Sequence, residues 1–175
     1  MLYNLKGMTT CAAMSSEGGS GMQPVLKKVF TISVQVGAAV VVGQDERVGR
    51  RQLIPILSGE LAGERMHGTV LPGGVDSQII RPDGVCEVSA RYAVRLDDGT
   101  GFYVENNGIR TVPEEYVDIV KSGGFIDPEL YYFCTRPVME VYDERLGWLT
   151  KQMFICCALR TPEQVFLDYY SVDQT

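Results

Sequence analysis

The sequence predicts an all-β fold, a single antiparallel β-barrel of about eight strands with one short helix. Three observations predict it. Turn signals recur at short intervals, at Pro72-Gly73-Gly74, Pro82-Asp83-Gly84, Asp97-Asp98-Gly99 and Asn106-Asn107-Gly108. Each supplies residues that accept the positive φ of a tight turn. The runs between them are rich in β-branched and aromatic residues, as strands are, and one segment alone carries helix signals. Closure into a barrel removes the edges that long apolar strands would otherwise expose. A barrel of about eight strands holds one small ligand in its mouth or lumen.

The elements follow in chain order. Residues 1–23 are rich in Gly, Ser and Met and read as a flexible leader. No continuous apolar core follows the early lysine, so the leader is a poor signal peptide. Residues 24–175 then form one barrel domain. FTISVQVGAAVVVG (30–43) reads as a buried strand containing a glycine. A strand at 75–81 is bracketed by two turns. VCEVSARYAVRL (85–96) and TGFYVEN (100–106) are strands, and Asn107-Gly108 is a two-residue hairpin signal. PEEYVDIVKSGG (113–124) opens with Pro and two acids and closes with Lys and Gly-Gly, which predicts the short helix. LYYFCTRPVMEVY (130–142), WLTKQMFICCALR (148–160) and QVFLDYYSV (164–172) are strands, with turns at DERLG (143–147) and TPE (161–163).

Bulk properties narrow the function. The net charge of −6 argues against nucleic acid or an anionic membrane surface as partner, since both want a basic patch. No run approaches the ~20 apolar residues of a membrane-spanning helix. Five cysteines at 11, 86, 134, 156 and 157 lack CxxC spacing, and there is one histidine, His67. No metal and no other cofactor is therefore expected, and the thiols read as reduced in a cytoplasmic protein.

Alternate strand residues share a face. In 85–96 one face is Cys86, Val88, Ala90, Tyr92, Val94 and Leu96, and the other carries Glu87, Ser89, Arg91 and Arg95. Parity alone does not say which faces the lumen. Residues 152–159 are apolar on both faces, so something must cover the outside: the helix, the leader or a second copy. A homodimer is the expectation that follows.

The chain also carries an ordered set of motifs: Gly49-Arg50-Arg51, Ile54-Pro55-Ile56, GTVLPGGVDSQIIRPDG (68–84), ARY (90–92), DDG (97–99), NNGIR (106–110), YYFCTRPVMEV (131–141), WL (148–149) and FLDYYSV (166–172). In this order they resemble the domain-of-unknown-function 3237 family of bacteria and fungi. The resemblance implies a β-barrel similar in style to allene oxide cyclase and the dirigent proteins, which guide a reactive intermediate without a cofactor. Fungal relatives often accompany natural-product genes, which implies a tailoring step. Two positions depart from the family pattern. Ser77 follows the PGG-x-D aspartate where an aromatic residue is usual, and Cys134 stands where Arg is common. Both departures are expected to alter a pocket.

The candidate chemistry centres on Asp76, which a Gly-Gly turn delivers at the start of a strand. It is a candidate general base, with local backbone bonding as its structural alternative. Arg91 lies mid-strand and needs a carboxylate if buried, with Glu105 and Glu140 as partners. It is otherwise a carbonyl or carboxylate clamp. Glu140 sits between Met139 and Val141, a setting that raises a carboxyl pKa when it faces inward. Tyr103, Tyr132 and Trp148 are candidates to line a site for a flat ligand. His67 lacks a G-x-S-x-G partner, and the glycine clusters lack the strand–loop–helix setting of a phosphate loop. The reading that results is a cofactor-independent isomerase, cyclase or dehydratase. It would transfer a proton on an aromatic or polyketide-like carbonyl compound held in the barrel. The alternative is a non-catalytic binding or carrier barrel.

Overall fold

A computed structural model of the chain describes residues 22–121 and 124–174. Ten strand segments follow one another: β1 (Pro24–Val36), β2 (Val40–Asp45), β3 (Gly49–Gly63), β4 (His67–Val70), β5 (Gly74–Ile80), β6 (Cys86–Leu96), β7 (Gly101–Thr111), β8 (Tyr132–Val141), β9 (Met153–Arg160) and β10 (Gln164–Gln174). One short helix, α1 (Val117–Lys121), stands between β7 and β8. The sheet runs β1-β10-β9-β8-β7-β6 and returns through β4, β5 and β3 to β1. Because β4 and β5 lie end to end against the long β3, they fill one position, and the barrel closes with eight. The expected leader at 1–23 lies outside the described residues except for Met22 and Gln23.

Three local expectations are corrected. The run 30–43 is not one buried strand. It breaks at Gly37-Ala38-Ala39, and β2 is an exposed ribbon paired to β3 alone. Asn107-Gly108 is not a turn but the interior of β7, paired with Arg136 and Thr135. A Cβ at Gly108 would stand 2.3 Å from the Cys134 carbonyl oxygen, so glycine is there to let β8 approach closely. The turn that folds β6 onto β7 comes earlier, where Gly99 adopts φ +87°. Finally, Trp148 and Leu149 do not begin a strand. They belong to a 3-10 helix over Glu144–Thr150, capped by the Asp143 carboxylate, which accepts from the Arg145 N–H at 2.9 Å.

The barrel interior has two unlike ends. At one end Phe30, Leu61, Val94, Phe102, Val104 and Phe154 make a dry core. The 3-10 helix plugs that end with Leu146 and Leu149. Trp148 packs on Phe154 with ring centroids 6.1 Å apart. Each such buried side chain contributes roughly 1.5–3 kcal/mol. Toward the other end the same inward parity delivers polar groups. Gln52 and Gln78 come from β3 and β5, Asn106 and Arg110 from β7, and Thr135 from β8, all buried. The Tyr92 and Tyr169 hydroxyls hydrogen-bond to each other between the two ends, with Phe30 stacked on Tyr169 at 4.7 Å.

Candidate functional site

Asp76 is the second inward residue of β5, opposite Ala90 of β6 and Ile54 of β3. Its carboxylate accepts from Gln78 Nε2 at 2.6 Å and from the Ser89 backbone N–H at 3.0 Å. Gln78 in turn accepts from Gln52 Nε2 at 2.8 Å. A chain of two buried amides thus fixes the carboxyl in one orientation. Burial raises the Asp76 pKa above its ordinary value, while Gln78, the Ser89 N–H, Arg110 and Arg160 pull it back. A carboxyl held in this way keeps its proton more readily than an exposed aspartate does.

Asp76 faces a cavity also lined by Gln78, Tyr92, Asn106, Thr135 and Arg160, with an apolar wall that includes Val88 and Phe133. The space is about 490 Å³ including its opening to solvent, and the centres of water-sized molecules fit within ≈ 40 Å³ of it. Two polar atoms of its wall, Asn106 Oδ1 and Thr135 Oγ1, are buried without a hydrogen-bond partner. Such atoms are uncommon in folded proteins and mark places where a ligand or water completes the bonding. Burial raises the Tyr92 pKa well above its ordinary value, so its hydroxyl stays a proton donor. Burial likewise pushes the Cys156 thiol on the inner face of β9 up to about 12, which keeps it from acting as a thiolate nucleophile. Among the described residues no group of three or more His, Cys, Asp or Glu is placed to hold a metal ion.

The other candidates are placed elsewhere. The apolar face of β6 is the inner one, so Arg91 points outward with 45% of its side chain exposed. It pairs with Glu105 at 3.4 Å, on the outer face of β7. This pair is expected between the two residues, but it lies on the surface, where such pairs contribute little. Glu140 and Tyr103 oppose each other on the outer faces of β8 and β7, and the Tyr142 hydroxyl donates to Glu140. Tyr132 is likewise outside, 52% exposed. The expected convergence of Asp76, Arg91 and Glu140 on one cavity is therefore corrected: strand parity sends two of the three to the opposite side of the wall. Tyr103, Tyr132 and Glu105 do not line the lumen, and Trp148 serves the apolar plug. Ser77 and Cys134 face outward too. Ser77 accepts from Arg51 Nη1 at 3.0 Å, and the Cys134 sulfur lies 3.6 Å from that of Cys157. The two departures from the family pattern thus change the exterior and not the lumen.

The residues that join Asp76 are Gln78, Tyr92, Asn106, Thr135, Arg110 and Arg160. A usable signal lay in the sequence: polar residues at the end of an apolar inward series. Phe102, Val104, Asn106, Gly108, Arg110 is one such series, and Phe154, Cys156, Ala158, Arg160 is another.

Comparisons with known proteins agree with this architecture. A family model described as Protein of unknown function (DUF3237) matches residues 24–172. A UPF0311 protein of Clostridium acetobutylicum is 56% identical over 146 residues, 83% of this chain and 92% of the relative. The crystal structure of a conserved protein of unknown function from Rhodopseudomonas palustris is similar with a TM-score of 0.81 at 41% identity, covering 86% of this chain and 98% of that one. An enzyme from Penicillium herquei matches with a TM-score of 0.67 at 19% identity, over 90% of this chain and all of that chain, a likeness of fold alone.

Proposed function

This chain belongs to the DUF3237 family of proteins of unknown function, and from that premise we propose that it is a cofactor-independent enzyme acting on a small carbonyl compound in the lumen. The reaction class is proton transfer, as in isomerisation, cyclisation or dehydration. One observation carries the reading. A part-buried carboxyl of raised pKa, held by Gln78 and Ser89, opens onto a cavity where Asn106 Oδ1 and Thr135 Oγ1 have no hydrogen-bond partner. Asp76 takes a proton from the carbon beside the carbonyl and returns it elsewhere. The Thr135 and Tyr92 hydroxyls donate the hydrogen bonds that stabilise the oxyanion, and Asn106 Oδ1 accepts one that orients the substrate. The apolar wall suits an aromatic or polyketide-like body, in keeping with a tailoring step in natural-product synthesis.

The test has two arms. Acetophenone should bind saturably to the wild-type chain by calorimetry. Ala90→Ile, which fills the lumen opposite Asp76, should abolish that binding while far-UV circular dichroism stays unchanged. Binding without any exchange or conversion of the ligand would move the protein to the carrier class. Equal binding to both chains would place the ligand outside the lumen and end the proposal.

We propose in addition that two copies associate through the outer faces of β8 and β9, where Tyr132, Val138 and Met153 stand exposed. Sedimentation velocity at high concentration should show a dimer, and monomer throughout would remove this proposal. Among the described residues no helix is long and apolar enough to cross a membrane.

A further inference from the structure

Two arginines close the polar end of the lumen, and among the described residues neither has an ion-pair partner. Arg110 is the last inward residue of β7, and Arg160 ends the inward series of β9. Both line a second cavity, with Val112, Val120, Ile126 and Tyr131, and Arg160 lines the Asp76 cavity as well. Arg110 also borders an open groove beside Arg50 and Glu114, so one arginine of the pair lines that groove while the other lines the Asp76 cavity.

The electrostatics of the pair are incomplete. Arg110 is 6% exposed, its Nε has no hydrogen-bond partner, and its guanidinium lies 5.8 Å over the Phe133 ring. Burial lowers the Arg160 pKa from its ordinary value, and the charge of Arg110 is the next cause. The two cations therefore feel each other, yet among the described residues neither forms an ion pair. The Asp76 carboxylate acts on both, and its oxygens are already held by Gln78 and Ser89. Arginine stays charged in a protein, so a buried Arg110 beside a half-buried Arg160, neither ion-paired, is costly until an anion joins them. The Tyr131 hydroxyl accepts from the Arg160 backbone N–H at 2.9 Å and keeps its own proton to donate into the same cavity.

We propose that Arg110 and Arg160, with Tyr131, form a carboxylate subsite at the barrel mouth, so the lumen takes a carbonyl compound that also bears an acid group. The guanidinium forks match a planar carboxylate in a space whose remaining described wall is apolar except for Thr161. The subsite fixes the ligand by its acid end and leaves the carbonyl end to Asp76, Asn106 and Thr135. This inference rests on the lumen reading given above.

The experiment compares 4-acetylbenzoate with its neutral isostere 4-acetylbenzamide on the full chain at neutral pH, by calorimetry and by thermal shift. The benzoate should bind at least about tenfold more tightly. Arg110→Met and Arg160→Met should each erase that preference while leaving amide binding in place. Without ligand, each variant should melt no lower than wild type, because a desolvated charge without an ion pair is removed. If a Met variant does not fold, Arg110→Gln and Arg160→Gln carry the same comparison. Equal affinity for the two probes would overturn the subsite and leave the lumen reading standing. Binding of neither probe would overturn both.

Discussion

Gln78 donates a 2.6 Å hydrogen bond to the Asp76 carboxylate while accepting one from Gln52, so two buried amides in series aim the carboxyl. This separates holding from reacting. The amides set the orientation, and the exposed side of the carboxyl meets the ligand. Asp76→Asn keeps the shape and removes the base. Turnover of any substrate processed in the lumen should fall by about 10²–10⁴-fold, the usual share of general acid–base catalysis, with ligand affinity little changed. Steady-state kinetics that show a rise in KM at constant kcat would instead make Asp76 a binding residue.

The raised Asp76 pKa has a consequence for stability. A raised folded-state value means that the folded chain holds this proton more tightly than the unfolded chain. The stabilisation is fully present below the unfolded value of about 3.8 and is lost as pH rises through the folded value. Asn at this position carries no such loss, and the Gln52–Gln78 amides can reverse together to satisfy it. The Tm of Asp76→Asn should therefore gain on wild type as pH rises from about 4, then hold a constant lead above the folded pKa. Scanning calorimetry across that range checks this, and parallel curves would mean that the opposing hydrogen bonds and arginines cancel burial.

Arg91→Met and Glu140→Gln should leave turnover at the wild-type level, because both side chains stand on the outer wall. Their Tm shifts should stay below about 2 °C, as surface substitutions usually do. Tenfold losses of kcat/KM in either variant would mean that the outer face takes part in the reaction.

Gly108→Ala should destabilise the barrel by about 1–3 kcal/mol or more, since the new Cβ meets backbone atoms of β8 that cannot rotate away. Leu149→Ala should cost about 2–5 kcal/mol by emptying the plug at the apolar end. Urea unfolding measures both. A neutral result at Gly108 would show that β7 and β8 sit farther apart than the close approach requires.

These residues also show what the sequence could and could not disclose. Alternation in 85–96 separates an apolar face from a charged one, and the apolar face proves to line the lumen. Nothing in that alternation says which face is inside until the partners close the barrel, so Arg91 and Glu105 looked like lumen chemistry. Asn107-Gly108 conceals more. Its hairpin signal ends the strand at Asn106 and so hides Arg110 from the inward series that Phe102, Val104 and Asn106 begin. The glycine there answers a tertiary demand, the approach of β8, which the local sequence does not express. Asp76 was legible because its Gly-Gly turn and its strand are both local signals. Asn106, Thr135 and Arg160 come together only through strand register and barrel closure.

The central claim is that Asp76 moves a proton on a carbonyl compound bound in the lumen. The most direct measurement follows deuterium uptake into the methyl group of acetophenone in heavy water by proton NMR, with catalytic amounts of enzyme. The wild-type chain should accelerate exchange well above the buffer rate, and Asp76→Asn should return it to that rate. Equal exchange by both chains, or no acceleration by the wild type, would contradict the claim.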